Sequence, residues 1–174
     1  MNHFTRLVIS LLALTSLAAC TSSKQQNVSQ SRATGQTKNI ILMIGDGMGP
    51  QQIGLLQDFA LYSTTPTYQN RDTALQVFAD EGQLALSSTR PFGNLVVDSA
   101  CSATQLATGV PALSEVIGLD TQGNPAPTIL ERARALGKST GLITDTRVTH
   151  ATPAAFAAHQ THRSQENEIA LDIL

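Results

Sequence analysis

The 174-residue sequence has no tryptophan, and aromatic residues make up only 4% of it. That scarcity argues against a platform on which bases stack. Charged residues are few, at 14%, and the net charge of -2 leaves no basic footprint for nucleic acid, so no nucleic-acid partner is expected. There are two cysteines, Cys20 and Cys101. The first belongs to a targeting segment, so no disulfide framework exists within one chain. The longest apolar run, Leu7 to Ala19, is too short to cross a bilayer comfortably. What is present is 41% hydrophobic content with many small residues, ordinary for a globular α/β protein with one modest domain.

His3 and Arg6 give the N-terminus a weakly basic start, and the apolar run ends Leu17-Ala18-Ala19-Cys20. Residues 1–19 therefore read as a signal peptide. The cysteine directly after the small residues resembles the bacterial lipobox, which implies lipidation of Cys20 as the mature N-terminus; the alternative is an ordinary cleaved signal with a chance cysteine. Thr21 stands where a retention-type Asp would, and by resemblance to enteric lipoproteins this implies a periplasm-facing lipoprotein of the cell envelope, at the outer membrane. Residues 20–38 are polar and read as a tether.

The domain is expected over residues 39–174. Asn39 to Ile44 is a continuous apolar run, suited to a strand buried on both faces. It stops at Gly45-Asp46-Gly47-Met48-Gly49-Pro50, a glycine-rich turn whose one charge, Asp46, is a metal-ligand candidate or a turn residue bonding its own backbone. Ile53, Leu56, Phe59 and Ala60 share one helical face, and Asp72 is placed to cap a second helix through Ala79. Leu84-Ala85-Leu86 and Leu95-Val96-Val97 read as short strands. The second feeds Asp98-Ser99-Ala100-Cys101-Ser102-Ala103-Thr104, where Asp98 caps a small-residue helix and Ser99 sits at its N-terminus, a place that favours an oxyanion or phosphate. Val110 to Asn124 reads as loop. Thr128-x-x-Glu131 is a capping box opening a helix that Gly137 ends, with Gly141 to Thr144 as the next strand. Gly137-Lys138-Ser139 ends like a P-loop, but Arg132 stands where the first glycine is required, which excludes a nucleotide site. Thr152 and Pro153 are expected to start a helix that runs on to Arg163, with His150 in the preceding loop. His159 and His162 on that helix read as surface or hydrogen-bonded side chains. The final residues, Glu168 to Leu174, have a helical pattern without a cap, which suggests a fragment or a shortened reading frame.

Three stretches in order, Asn39 to Gly49, Asp98 to Gly109 and Thr146 to Arg163, together resemble the alkaline phosphatase family. The resemblance implies an α/β fold with a central, mostly parallel sheet flanked by helices, incomplete in this chain, which would be the N-terminal portion of the domain. It implies hydrolysis of phosphate monoesters, with zinc and magnesium as cofactors and a homodimer when full length. By resemblance Ser99 is the nucleophile that becomes a phosphoserine, Asp98 orients the phosphate-binding arginine, and Arg163, eleven residues after Thr152, is that arginine. Asp46 matches a carboxylate bridging zinc and magnesium, Thr152 a magnesium ligand, and His150 a position where the family carries Asp or His. Ser99 would complete a zinc site.

Zinc coordination makes a serine hydroxyl a usable nucleophile without a histidine base. A guanidinium holds two phosphate oxygens at once. Cys101 is a rival nucleophile only in sequence, since nothing activates it. A catalytic zinc needs several His and Asp donors. With four histidines in all, the chain is expected to have little phosphatase activity by itself. Two alternatives stand beside the monoesterase: a non-catalytic phosphate-binding or interaction lipoprotein, and a phosphodiesterase of the same superfamily.

Overall fold

The computed structural model describes residues 37–65 and 72–174. The expected signal peptide, Cys20, nearly all of the expected tether and residues 66–71 lie outside the described residues. The chain divides into two units after Leu42. Of the first, only residues 37–42 are described, and they carry no helix or strand.

The second unit, from Met43, contains six described helices: α1 (Pro50–Tyr62), α2 (Ala74–Glu81), α3 (Ser99–Thr108), α4 (Ile129–Ala135), α5 (Ala151–Ala154) and α6 (Glu166–Ile173). Helix α1 opens with Pro50 at its first position, and Gln52 Oε1 accepts the Gly49 N–H at 2.9 Å. Thr73, not Asp72, caps α2: its hydroxyl accepts the Gln76 N–H at 3.1 Å. A cap hydroxyl reaches the N–H three residues on, and here that geometry falls to the neighbour of the expected residue.

Helix α3 is the centre of the core. Asp98 Oδ1 accepts the N–H groups of Ala100 and Cys101 at 2.7 and 3.1 Å, which fixes where the helix starts. Ala100, Cys101, Ala103, Thr104 and Ala107 are buried, and these small side chains let α5 and α4 pack close to it. Ala100, Ile117, Ala151, Ala154, Ala158 and Ile169 form one buried cluster, with Ile173 against it. Thr104 is buried but satisfied: its hydroxyl donates to Val116 O at 3.1 Å and accepts from Gly118 N at 2.9 Å.

The expected capping box is formed. Thr128 Oγ1 accepts the Glu131 N–H, and Glu131 Oε2 accepts the Thr128 N–H, at 3.1 and 2.8 Å. The same hydroxyl donates to Phe156 O at 2.7 Å, so the cap also ties α4 to the segment after α5. His159 completes this knot, with Nδ1 2.7 Å from Gly118 O and Nε2 2.8 Å from Glu131 Oε1.

Two further expectations are corrected. The sheet is not formed among the described residues: Asn39–Ile44, Leu84–Leu86, Leu95–Val97 and Gly141–Thr144 carry no strand, and the only β pairings are single antiparallel bridges, Ile117 with Gln160 and Leu119 with Pro125. A parallel ladder needs neighbours delivered by crossovers, and within the second unit Leu84–Leu86, Leu95–Val97 and Gly141–Thr144 are not hydrogen-bonded to one another through their backbones. Their apolar side chains are correspondingly exposed, Leu86 and Ile143 almost completely. The helix expected from Thr152 to Arg163 is one turn, Ala151–Ala154, with His150 at the N-cap position making no side-chain cap bond and Pro153 third. It stops because the following residues tighten into turns and Gln160 pairs with Ile117 through both backbone groups, at 2.9 and 3.0 Å.

Candidate functional site

Ser99 is the first residue of α3, where the helix dipole favours negative charge, while the Ala100 and Cys101 N–H groups are bonded to Asp98 Oδ1. Arg163 approaches it from the segment that links α5 and α6. Its Nη1 donates to Ser99 Oγ at 3.0 Å, and its Nη2 lies 3.2 Å from His150 Nε2. A guanidinium has no acceptor, so His150 Nε2 accepts and the ring proton sits on Nδ1. That Nδ1 is buried without a hydrogen-bond partner. The structure thus brings Arg163 and His150, 13 residues apart, to Ser99, 64 residues before Arg163.

Asp46 and Thr152 form a second pair. Asp46 lies in a β-turn closed by Met48 N donating to Gly45 O at 3.1 Å, with Gly47 supplying a positive φ of 66°. Thr152 Oγ1 donates to Asp46 Oδ2 at 2.9 Å across 106 residues of sequence. Two oxygens so placed are donors of the kind magnesium takes. Asp46 and Thr152 would supply two of the oxygens such an ion takes, and His150 stands two residues from Thr152. A zinc cage is a different matter: among the described residues no group of three His, Cys, Asp or Glu could hold a metal. Asp46 and Ser99 are at most part of one.

Asp98 does not turn its carboxylate to Arg163. Its oxygens accept from three backbone N–H groups, those of Ala100, Cys101 and Glu115, the last at 2.9 Å. Burial pushes the carboxyl up, but the Glu115, Cys101 and Ala100 donors outweigh it and hold it below the ordinary range. Cys101 is buried, donates its thiol to Asp98 O at 3.3 Å and is pushed up chiefly by burial, so it is a packed side chain and not a nucleophile.

The sequence reading missed Glu115, which sits in the loop before Gly118 and touches both Asp98 and Arg163. Nothing in the residue pattern marks it, because its role comes from a backbone φ of 66° that glutamate seldom adopts.

Comparison with known proteins follows the same residues. The alkaline phosphatase family model matches residues 37–173. The chain is 35% identical over 168 residues to alkaline phosphatase 3 of Bacillus subtilis, covering 95% of this chain and 35% of that protein. It is 36% identical to the repressible alkaline phosphatase of Saccharomyces cerevisiae, covering 79% of this chain and 24% of that one. Among solved structures, the cold-active alkaline phosphatase of a psychrophilic Shewanella superposes with a TM-score of 0.65 at 38% identity, over 75% of this chain and 32% of that chain. A variant of the alkaline phosphatase from the Antarctic bacterium TAB5, with a histidine changed to aspartate and Mg bound in its M3 site, superposes with a TM-score of 0.60 at 31% identity, over 74% of this chain and 34% of that chain. The chain therefore spans about a third or less of the length of these relatives. A serine-headed helix, an arginine brought to it and an Asp–Thr pair beside them thus lie within a stretch matched from end to end, and the chain belongs to the alkaline phosphatase family.

Proposed function

We propose that this chain carries the phosphate-binding and nucleophile-bearing part of a phosphate monoesterase. The single observation behind this reading is the 3.0 Å bond from Arg163 Nη1 to Ser99 Oγ at the head of α3. A phosphoryl group placed there meets the guanidinium on one side and the helix N-terminus on the other, so its charge is compensated from two directions. Ser99 Oγ would then attack phosphorus as the bond to the ester oxygen breaks, its hydroxyl proton ending on the departing alcohol, and water would hydrolyse the phosphoserine to restore Ser99 and release phosphate. Asp98 contributes by fixing the first turn of α3, and hence the position of Ser99. His150 accepts from the second guanidinium nitrogen and keeps Arg163 from swinging away. Asp46 and Thr152 would be the residues to hold magnesium, which when bound would supply positive charge beside the site; the Mg in the M3 site of the TAB5 variant supports this reading. Among the described residues no three His, Cys, Asp or Glu could hold a zinc ion, and the chain by itself is expected to turn over little. Anchoring through a lipidated Cys20 at the outer membrane belongs to the same reading.

The test is hydrolysis of p-nitrophenyl phosphate and of bis(p-nitrophenyl) phosphate, with zinc and magnesium supplied, by the native chain and Ser99→Ala. We expect slow turnover at most, a preference for the monoester, and none with Ser99→Ala. Turnover that survives Ser99→Ala, or faster cleavage of the diester, overturns the reading. A non-catalytic phosphate binder is the second reading, since among the described residues no three His, Cys, Asp or Glu could hold a metal together. Phosphate binding without any metal, together with no turnover when metals are supplied, is its signature.

A further inference from the structure

Glu115 is set apart by three facts. It is the one non-glycine residue with positive φ among the described residues, at 66°. Its backbone is held at both ends, its N–H donating to Asp98 Oδ2 at 2.9 Å and its carbonyl accepting the Arg163 N–H at 2.8 Å. Its carboxylate stands 3.8 Å from Arg163 Nε and 4.0 Å from His162 Nε2. Strained backbone at one residue is an observation that calls for a function, and here it delivers a negative charge to one particular edge of the guanidinium. The Nη1 and Nη2 nitrogens meanwhile reach Ser99 and His150. Glu115, His150, His162 and Arg163 also line one cavity of about 310 Å³, so an anion entering it meets the carboxylate together with the arginine.

We propose that Glu115 is a positioning residue that sets the anion affinity of Arg163; this rests on the phosphate-site reading above. At 3.8 Å the carboxylate pairs with the guanidinium without a close hydrogen bond, so it steadies Nε and offsets part of the positive charge while leaving the Nη nitrogens in place. Phosphate arriving at those nitrogens finds an arginine already partly compensated and a like charge nearby. The pair is partly exposed, with 24% of the Arg163 side chain and 44% of the Glu115 side chain accessible, so solvent screens the effect to a modest factor. The consequence is weaker phosphate binding and easier release than a bare arginine would give.

The experiment is titration of inorganic phosphate, followed by ³¹P NMR, into the native chain, Glu115→Gln, Glu115→Gly and Arg163→Ala, each at low and high salt. Gln keeps the shape and removes the charge; Gly removes the charge and the strain. We expect both Glu115 variants to bind phosphate about threefold more tightly at low salt, with the gain shrinking as salt rises. Glu115→Gly should also unfold at an equal or higher temperature, because glycine adopts this φ freely. Introducing Glu115→Gln into Arg163→Ala should produce no gain. Unchanged or weaker binding by Glu115→Gln, when the native chain does bind, overturns this proposal alone and leaves Glu115 a structural residue. No binding by either chain overturns both this proposal and the phosphate-site reading.

Discussion

Arg163 donates from Nη1 to Ser99 Oγ at 3.0 Å, bridging 64 residues of sequence. The arginine is held on three sides, by Ser99, by His150 and by the backbone and carboxylate of Glu115. If this fork is what grips phosphate, Arg163→Ala should weaken inorganic phosphate binding by about tenfold or more, the cost of a lost charge-assisted bond. Arg163→Lys should recover only part, since an ammonium cannot present two parallel donors. Isothermal titration of the three chains gives the comparison.

Gly118 should be nearly irreplaceable. A Cβ there would stand 2.1 Å from Ala158 O and 2.7 Å from His159 Nδ1, and its φ is +63°. Gly118→Ala should cost about 2 kcal/mol or more, because neither the backbone carbonyl nor the doubly bonded imidazole can yield cheaply. Urea denaturation measures it, and a cost under half of that would mean the knot around His159 relaxes easily.

Thr128 does two jobs with one hydroxyl, accepting from Glu131 N and donating to Phe156 O. Thr128→Val removes both bonds and leaves a buried carbonyl unpaired. The expected loss of stability is about 1–3 kcal/mol. Thr128→Ser should restore most of it, which separates the hydroxyl from the methyl in the same denaturation series.

Glu166 is bonded by Arg147 Nε and Nη2 at 2.8 and 2.7 Å and by Thr149 Oγ1 at 2.6 Å. The Arg147 bonds first, then Thr149, pull its carboxyl from 4.5 down to about 2. A carboxyl lowered in the folded state stabilises fully above its unfolded value and loses that contribution as pH falls through the folded one. The stability gap between the native chain and Glu166→Gln should therefore be steady above about pH 5 and close as pH drops toward about 2. Thermal unfolding at stepped pH checks it; a gap that widens on acidification contradicts it.

Local chemistry made much of the helical frame legible in the sequence. Asp98, the Thr128–Glu131 box and Gly137 each satisfy or end backbone groups within a few residues, and each does so in the structure. The Asp98-Ser99 turn could be read for the same reason. Strand pairing could not: Asn39–Ile44 and Gly141–Thr144 have the composition of buried strands, but a ladder depends on partners that composition does not supply. The helix expected through Arg163 failed because Gln160 pairs with distant Ile117, a tertiary bond that overrides an alanine-rich pattern. Glu115 was hidden because its importance lies in a dihedral angle and in neighbours 17 residues before it and further along the chain.

The central claim is that an anion binds between Ser99 and Arg163. The direct measurement is ¹H–¹⁵N NMR of the labelled chain during titration with inorganic phosphate, read at the Ser99 amide and at Ala60 in α1 as a remote reference. The account predicts a saturable shift at Ser99, little change at Ala60, and no saturable shift at Ser99 in Arg163→Ala. A Ser99 signal that stays still, or one that moves equally in Arg163→Ala, would contradict it.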